Sequence, residues 1–306
     1  MAPEGLICRT TSGTGGRPVW MRYFATSFCA RRRRELPRWC SSLYTREMST
    51  LFTRAIVRKP GVSFADGLTT ATEGAPDIAA ALRQHDRYCD ALRRCGLSVL
   101  TTVTDERYPD GTFVEDTAVI AGRMAVVTRP GAPTRQGEIT SIEASLVGYD
   151  LELHRISSPG TVDGGDICQA EGHFFIGQSN RTNAEGARQL AAILAGYGYT
   201  SSVIDIRATR SLLHLKSGMS YLGEHRMLVT PEVPVDTELA RYELVQVPEG
   251  EEYAANCIRV NDHILTAVGY PRLTDELAKL GYDLIPLDVS EYRKMDGGLS
   301  CLSLRF

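Results

Sequence analysis

Residues 51–306 predict an α/β architecture of five strand–strand–helix–strand units set in a closed ring. Three observations point to it. Four units of one shape follow each other at a spacing of about 45 residues, the mark of a repeat architecture. A fifth unit is divided between the two ends of this stretch, so pairing its halves closes the circle. Short Gly/Pro turns join the units and no long linker interrupts them, so one domain spans 51–306.

The clearest unit has β-rich runs at 117–120 and 125–128 around Ala121-Gly122-Arg123, a hairpin signal. Residues 133–147 carry Ile139, Ile142 and Leu146 at helical spacing, and 151–156 alternate as a strand. The next unit places strands at 166–169 and 173–177 around Glu171-Gly172. Its helix runs over 183–197, with Thr182 or Asn183 as the cap, and a strand over 202–206 follows. A third unit runs through 213–222, 226–230, a helix near 235–242 and 244–247. A fourth has strands at 257–260, 263–268 and 283–287 and a helix at 273–280. The divided unit takes its inner strand from 301–304, pairs it with 53–58, and is completed by a helix at 76–94 and a strand at 97–103.

The first 50 residues have another character. They hold nine Arg, including Arg31–Arg34, no Lys and three acids, a net of +6, which leaves −9 for the rest of a chain of net −3. Arg- and Ser-rich, acid-poor composition is that of an organellar transit peptide. The plain alternatives are an unstructured extension or a true start at Met48. The expected location is cytoplasmic, or mitochondrial if residues 1–50 act as a transit peptide. An acidic body argues against nucleic acid as the main partner and suits a small cation. No apolar run approaches the roughly 20 residues that span a bilayer, so no membrane partner is expected. Five cysteines in the body, without a CxxC pair, fit free thiols in a reducing compartment.

In such a ring the first strand of each unit lies nearest the axis, and its start faces a common funnel. At those starts stand Glu115-Asp116, Asp163-Gly164-Gly165-Asp166, His214-Leu215-Lys216, Asn256-Cys257 and Ser300-Cys301. Carboxylates, an imidazole and a thiol at matching places are poorly explained by packing, because Asp and Glu are rarely buried unpaired. A Cys needs thiolate character to attack, and a nearby His can move protons. Asp163 is the best-placed acceptor to orient His214. Asp110, Glu115, Asp116 and Asp166 would repel each other unless a cation, a metal or a guanidinium, sat among them. Asp163 and Asp166 could also simply cap turns beside their glycines. Arg129 and Arg181 follow hairpins whose first strands carry the acids, and could clamp a substrate carboxylate. Acids at one end and arginines at the other describe an arginine-like ligand.

The segments Tyr108-Pro109-Asp110-Gly111-Thr112-Phe113-Val114-Glu115-Asp116, Thr128-Arg129-Pro130-Gly131-Ala132-Pro133, Asp163-Gly164-Gly165-Asp166, Leu213-His214-Leu215-Lys216-Ser217, Ala254-Ala255-Asn256-Cys257 and the tail Met295–Phe306 resemble, in order, those of the dimethylarginine dimethylaminohydrolases. The resemblance spans essentially all of 51–306. It implies a five-bladed, pseudo-symmetric α/β-propeller and hydrolysis of asymmetric dimethylarginine and monomethylarginine to citrulline and methylamines through a covalent Cys thiouronium. By resemblance Cys301 is the nucleophile, His214 the general acid/base and Asp163 its orienting carboxylate. Glu115 and Asp116 would hold the guanidinium. Asp110, with backbone carbonyls near Leu68 and Met295, would take the α-amino group, and Arg129 and Arg181 the α-carboxylate. Residues 61–70 look like the family's mobile lid. No cofactor or metal is required, though zinc could inhibit by bridging Cys301 and His214. The partner is a small-molecule methylarginine, and the chain a monomer or homodimer. The rivals are a deiminase of unmodified arginine or another guanidino compound, and a catalytically silent amino-acid-binding homologue.

Overall fold

The computed structural model of the chain describes residues 51–306. The expectations for residues 1–50, and the location that depends on them, lie outside the described residues.

Five three-stranded sheets follow one plan. Each middle strand pairs antiparallel with an inner strand and parallel with an outer one. In chain order after the divided sheet these are β3 (Ala118–Ala121), β4 (Met124–Val127) and β5 (Glu152–Arg155); β6 (Ile167–Ala170), β7 (His173–Gln178) and β8 (Thr200–Asp205); β9 (Met219–Gly223), β10 (Arg226–Val229) and β11 (Glu243–Gln246); and β12 (Ile258–Val260), β13 (His263–Ala267) and β14 (Asp283–Leu287). The divided sheet closes the ring. The last strand, β15 (Leu304–Arg305), lies antiparallel to β1 (Arg54–Arg58), with Ala55 opposite Arg305, and β2 (Ser98–Thr102) runs parallel on the far side of β1.

The strand period of two explains why the sheets stand in a ring. Neighbouring residues on one strand point to opposite faces. Phe174 of β7 enters a cluster with Val119 and Met124 of the preceding sheet, while Phe175 enters one with Met219 and Met227 of the following sheet. Leu228 packs with Ile264, and Leu265 packs with Ala55 and Val57. Ile56 then meets Ala118 and Ala125, which returns to the start. Every middle strand is therefore shared between two apolar clusters. Those clusters are the core.

The helices cover the periphery. Helix α1 (Ile78–Arg94) is capped by Asp77, whose side chain accepts the Ala80 amide at 2.9 Å. Helices α2 (Ile139–Leu146), α3 (Ala184–Gly196) and α4 (Pro271–Lys279) serve three further units, and Asn183 rather than Thr182 caps α3. The helix expected near 235–242 is absent, and only a short 3-10 turn, Leu239–Arg241, forms there. Pro231 and Pro234 remove amide donors, and Leu239 is the single fully buried side chain of that stretch, so no apolar stripe exists to hold a helix down. A short helix α5 (Ser290–Arg293) occurs where none was expected. No helix among the described residues is long and apolar enough to cross a membrane.

At the inner rim each unit carries a 3-10 turn just ahead of its inner strand: Val114–Thr117, Gly164–Asp166, Leu215–Ser217, Glu252–Ala255 and Ser300–Leu302. Cys301 sits in the last of these, one step earlier than the strand expected to contain it. These turns carry the candidate residues toward the axis.

Because Phe174 and Phe175 serve different clusters, truncating each to Ala should cost about 3–5 kcal/mol. The double variant should lose the sum within about 0.5 kcal/mol. Urea unfolding of the four proteins measures this, and a large departure from additivity would show that the two clusters are one.

Candidate active site

A cavity opens at the rim turns. Its wall includes Leu68, Asp110, Phe113, Asp116, Arg135, Arg181, Leu213, His214, Met295, Asp296, Gly297 and Cys301. Residues far apart in the chain thus meet at one place, and the sulfur and the imidazole face the same space.

His214 is buried, and its Nε2 lies 3.2 Å from Asp163 Oδ2. Asp163 is fully buried and its other oxygen accepts the Gly131 amide at 2.7 Å, so its carboxylate is fixed from two sides. It therefore does more than cap a turn. The backbone beside the imidazole has to be glycine: a Cβ on Gly165 would lie 2.7 Å from His214 Nδ1 and 3.0 Å from Asp116 Oδ1. Burial alone would depress the imidazole. The charges of Asp116 and Asp166, with Asp163, overcome that and raise His214 to about 9.

Cys301 is half-buried. Burial, then the negative charges of Glu115 and Asp116, push its thiol up to about 12, against the pull of the Gly298 amide and Lys216. At neutral pH the site therefore pairs a neutral thiol with an imidazolium.

Asp116 accepts Arg135 Nη1 at 2.7 Å and the Gly165 amide at 2.8 Å. Burial works against its ionisation, but His214, Arg135 and that amide hold it down to about 2. Asp110 accepts the Leu68 amide at 3.1 and 3.2 Å, and burial raises it above the usual carboxylate range. The contact at Leu68 is thus its N–H on Asp110. Residues 61–70 form a 3-10 turn over Val62–Asp66 and a strap that is tied to both walls. Besides the Leu68 bond, the Thr69 hydroxyl donates to Lys294 O at 2.9 Å and the Thr70 amide to Asp296 Oδ2 at 2.5 Å.

Two expected residues stand elsewhere. Arg129 turns away from the cavity: its backbone bridges to Val162 and its Nη1 reaches Gly160 O at 3.4 Å. The arginine that does stand in the wall from that part of the chain is Arg135, six residues on, buried and bound to Asp116 and to Glu138. The sequence places both after β4. The usable signal was the Arg135–Glu138 spacing, which sets an ion pair on one turn. Glu115 lies behind the cavity, where Lys216 Nζ at 2.5 Å and the Ser300 hydroxyl at 2.7 Å take its two oxygens and Arg305 approaches at 3.4 Å. That carboxylate already has two cationic partners and a hydroxyl and is not poised for a guanidinium, though its charge is still felt at Cys301. Asn256 also escaped notice. It accepts the Ser300 amide at 2.8 Å and donates to Ser300 Oγ at 3.0 Å and to Lys216 O at 2.9 Å, fixing the turn that carries Cys301.

Arg181 stands in the wall, and its Nη1 is buried without a hydrogen-bond partner. An unpartnered buried donor is costly unless a ligand completes it. Among the described residues, Asp116, Asp163 and His214 are the acid and imidazole groups close enough to share an ion, with donor atoms within 4.8 Å of one another. Arg135 and two backbone amides already bond those carboxylates, so a metal ion, which would need their lone pairs for itself, fits poorly. Cys89, Cys95, Cys168 and Cys257 are buried free thiols in the clusters between sheets.

Comparisons with known proteins agree with this geometry. A family model described as arginine deiminase matches residues 145–268. The N(G),N(G)-dimethylarginine dimethylaminohydrolase of Pseudomonas aeruginosa is 46% identical over 257 residues, covering 84% of this chain and 100% of that protein. The protein of the same name from Streptomyces coelicolor is 32% identical over 255 residues, covering 82% of this chain and 96% of its own. A crystal structure of a Cys-to-Ser variant of the Pseudomonas protein, in complex with citrulline, superposes with a TM-score of 0.80 at 45% identity, covering 84% of this chain and all of that one. By its five-sheet ring, the residues gathered at the rim and this similarity along nearly the whole of its relatives, the chain belongs to the dimethylarginine dimethylaminohydrolase family.

Proposed function

We propose that this chain hydrolyses N-ω-methylated arginines to citrulline and a methylamine. The observation that carries the reading is the shared wall: a neutral thiol and an imidazolium beside the carboxylates of Asp110 and Asp116, with Arg181, one of whose guanidinium nitrogens has no hydrogen-bond partner, in the same wall. The names borne by its relatives support it.

A methylarginine has three charged ends, and the cavity has a partner for each. Its guanidinium belongs beside Asp116, within reach of Cys301. Its α-carboxylate belongs on Arg181, and its α-ammonium on Asp110. Arg135, held by Asp116 and Glu138, keeps the Asp116 carboxylate in place more than it offers itself. The arriving cation offsets the negative charge of Glu115 and Asp116 that, with burial, keeps the Cys301 proton in place, so the thiol releases its proton to solvent and the thiolate forms on binding. Sulfur then attacks the guanidinium carbon. His214 delivers its proton to the methylated nitrogen, the C–N bond breaks and the amine leaves, which yields the thiouronium. The now neutral imidazole takes a proton from water as the oxygen bonds to carbon. The C–S bond breaks, and the oxygen passes its remaining proton to the departing sulfur, which forms the C=O of the ureido product and restores the thiol. Asp163 stabilises the imidazolium and fixes its orientation throughout.

The match to the arginine deiminase model favours one other reading, turnover of unmodified arginine. Assaying dimethylarginine, monomethylarginine and arginine side by side for citrulline separates the two, and turnover of arginine alone would reject the proposal. Cys301→Ser should lower kcat at least about 10³-fold, while Cys257→Ser leaves it within about twofold.

The pH dependence has a definite sign. The acid form of His214 is needed, so kcat should be sustained through neutrality and fall as pH rises through about 9. Alkylation of Cys301 by iodoacetamide should be slow in the free protein at neutral pH. Fast alkylation with a midpoint below about 7 would refute the neutral-thiol state.

Arg181→Ala should raise KM at least about tenfold for a carboxylate-bearing substrate, with kcat less affected. Arg129→Ala should change KM by about twofold or less, since its side chain leaves the cavity. Steady-state kinetics on both variants would invert the assignment if Arg129→Ala were the one that lost affinity.

A further inference from the structure

Asp166 is fully buried, near His214 and Asp163, yet it is absent from the cavity wall. A carboxylate is expensive to bury, so its bonds show what it is kept for. One oxygen accepts the amide of Leu215, the residue after His214, at 3.0 Å. The other accepts the Ser179 hydroxyl at 2.6 Å. Ser179 Oγ in turn accepts the amides of Arg181 at 2.9 Å and Thr182 at 3.1 Å. The Thr182 hydroxyl accepts the amide of Asp163 at 3.1 Å. Segments 163–166, 179–182 and 214–217 are thus tied to one buried carboxylate. Space for the tie comes from Gly177, where a Cβ would lie 2.7 Å from Leu215 Cβ and 3.1 Å from Asp166 Oδ1.

We propose that Asp166 is a positioning residue that sets the distance between His214 and Arg181, holding the first through the Leu215 amide and the second through the Ser179 hydroxyl. The separation between proton donor and carboxylate clamp measures the substrate. It must match the length from guanidinium to α-carboxylate, and one carboxyl group grips both ends of that ruler. The inference rests on the methylarginine reading for its assay.

The test separates the two arms. Ser179→Ala cuts the link to the 179–182 turn, through the amides of Arg181 and Thr182, and leaves the bond from Asp166 to the Leu215 amide. For monomethylarginine it should raise KM about tenfold with kcat within about twofold. For a methylated alkylguanidine that lacks the α-carboxylate, KM should move by less than about twofold, because the clamp is not used. Asp166→Asn frees the Leu215 turn as well, so kcat should also fall, at least about tenfold, with both substrates. Melting temperatures are read in parallel. Equal losses with both substrates in Ser179→Ala, or losses in both variants that follow the melting temperature alone, would make Asp166 a packing element and overturn the proposal. If Asp166→Asn does not fold, the substrate split in Ser179→Ala decides alone. Wild-type protein that turns over no methylarginine would overturn the functional reading and this proposal with it.

Discussion

The alternation of side chains along a strand is the constraint on which the rest of the structure depends. A middle strand such as β7 sends Phe174 one way and Phe175 the other, so each sheet has two apolar faces to cover. A row of such sheets would leave two faces bare at its ends. Bending the row until β1 meets β15 on one side and Ala118 on the other covers all of them. Closure then dictates where the chemistry is. The inner strands converge, and the five 3-10 turns ahead of them are forced together at the rim. The site follows from the way the core is covered.

Crowding five polar turns creates an electrostatic problem, and the molecule resolves it unevenly. Glu115 is matched by Lys216 and Arg305, Glu138 by Arg135, and Asp116 by Arg135 and an amide. Asp163 has an imidazole and an amide. What stays unmatched belongs to residues of the cavity wall: a buried guanidinium nitrogen of Arg181 at one place and the thiol of Cys301, held neutral by burial and nearby negative charge, at another. The site is balanced only when something bearing a delocalised positive charge and a carboxylate is inside it. Activation of the nucleophile and selection of the ligand are then one electrostatic event, with no separate general base needed to raise the thiolate.

The ring, its five units and the pairing of the two ends were legible because hairpin turns and strand alternation are local signals, and closure follows from counting units. The third helix failed because spacing was read without weighing Pro231 and Pro234 against a single buried anchor, Leu239. At the site, Cys301, His214 and Asp163 were legible as a set, since residue types at corresponding places in a repeat reinforce each other. Arg129 and Arg135 illustrate the limit. Both follow β4, and only the path of the chain after Pro133 decides which one turns inward. Glu115 shows another limit, since its partner Lys216 is a hundred residues away and no local pattern announces a buried ion pair.

The outer strands have a further consequence for how copies of the molecule behave toward each other. Among the described residues, each pairs on one side only and leaves a row of backbone amides and carbonyls on the other, a template that invites intermolecular β-pairing. Glu152 and Arg155 guard β5, Asp205 guards β8, Glu243 guards β11, and Asp283 with Pro286 guards β14. The sequence of β2, Ser98-Val99-Leu100-Thr101-Thr102, has neither charge nor proline, and Leu100 is exposed on it. Self-association by edge-to-edge pairing is therefore least discouraged along that strand.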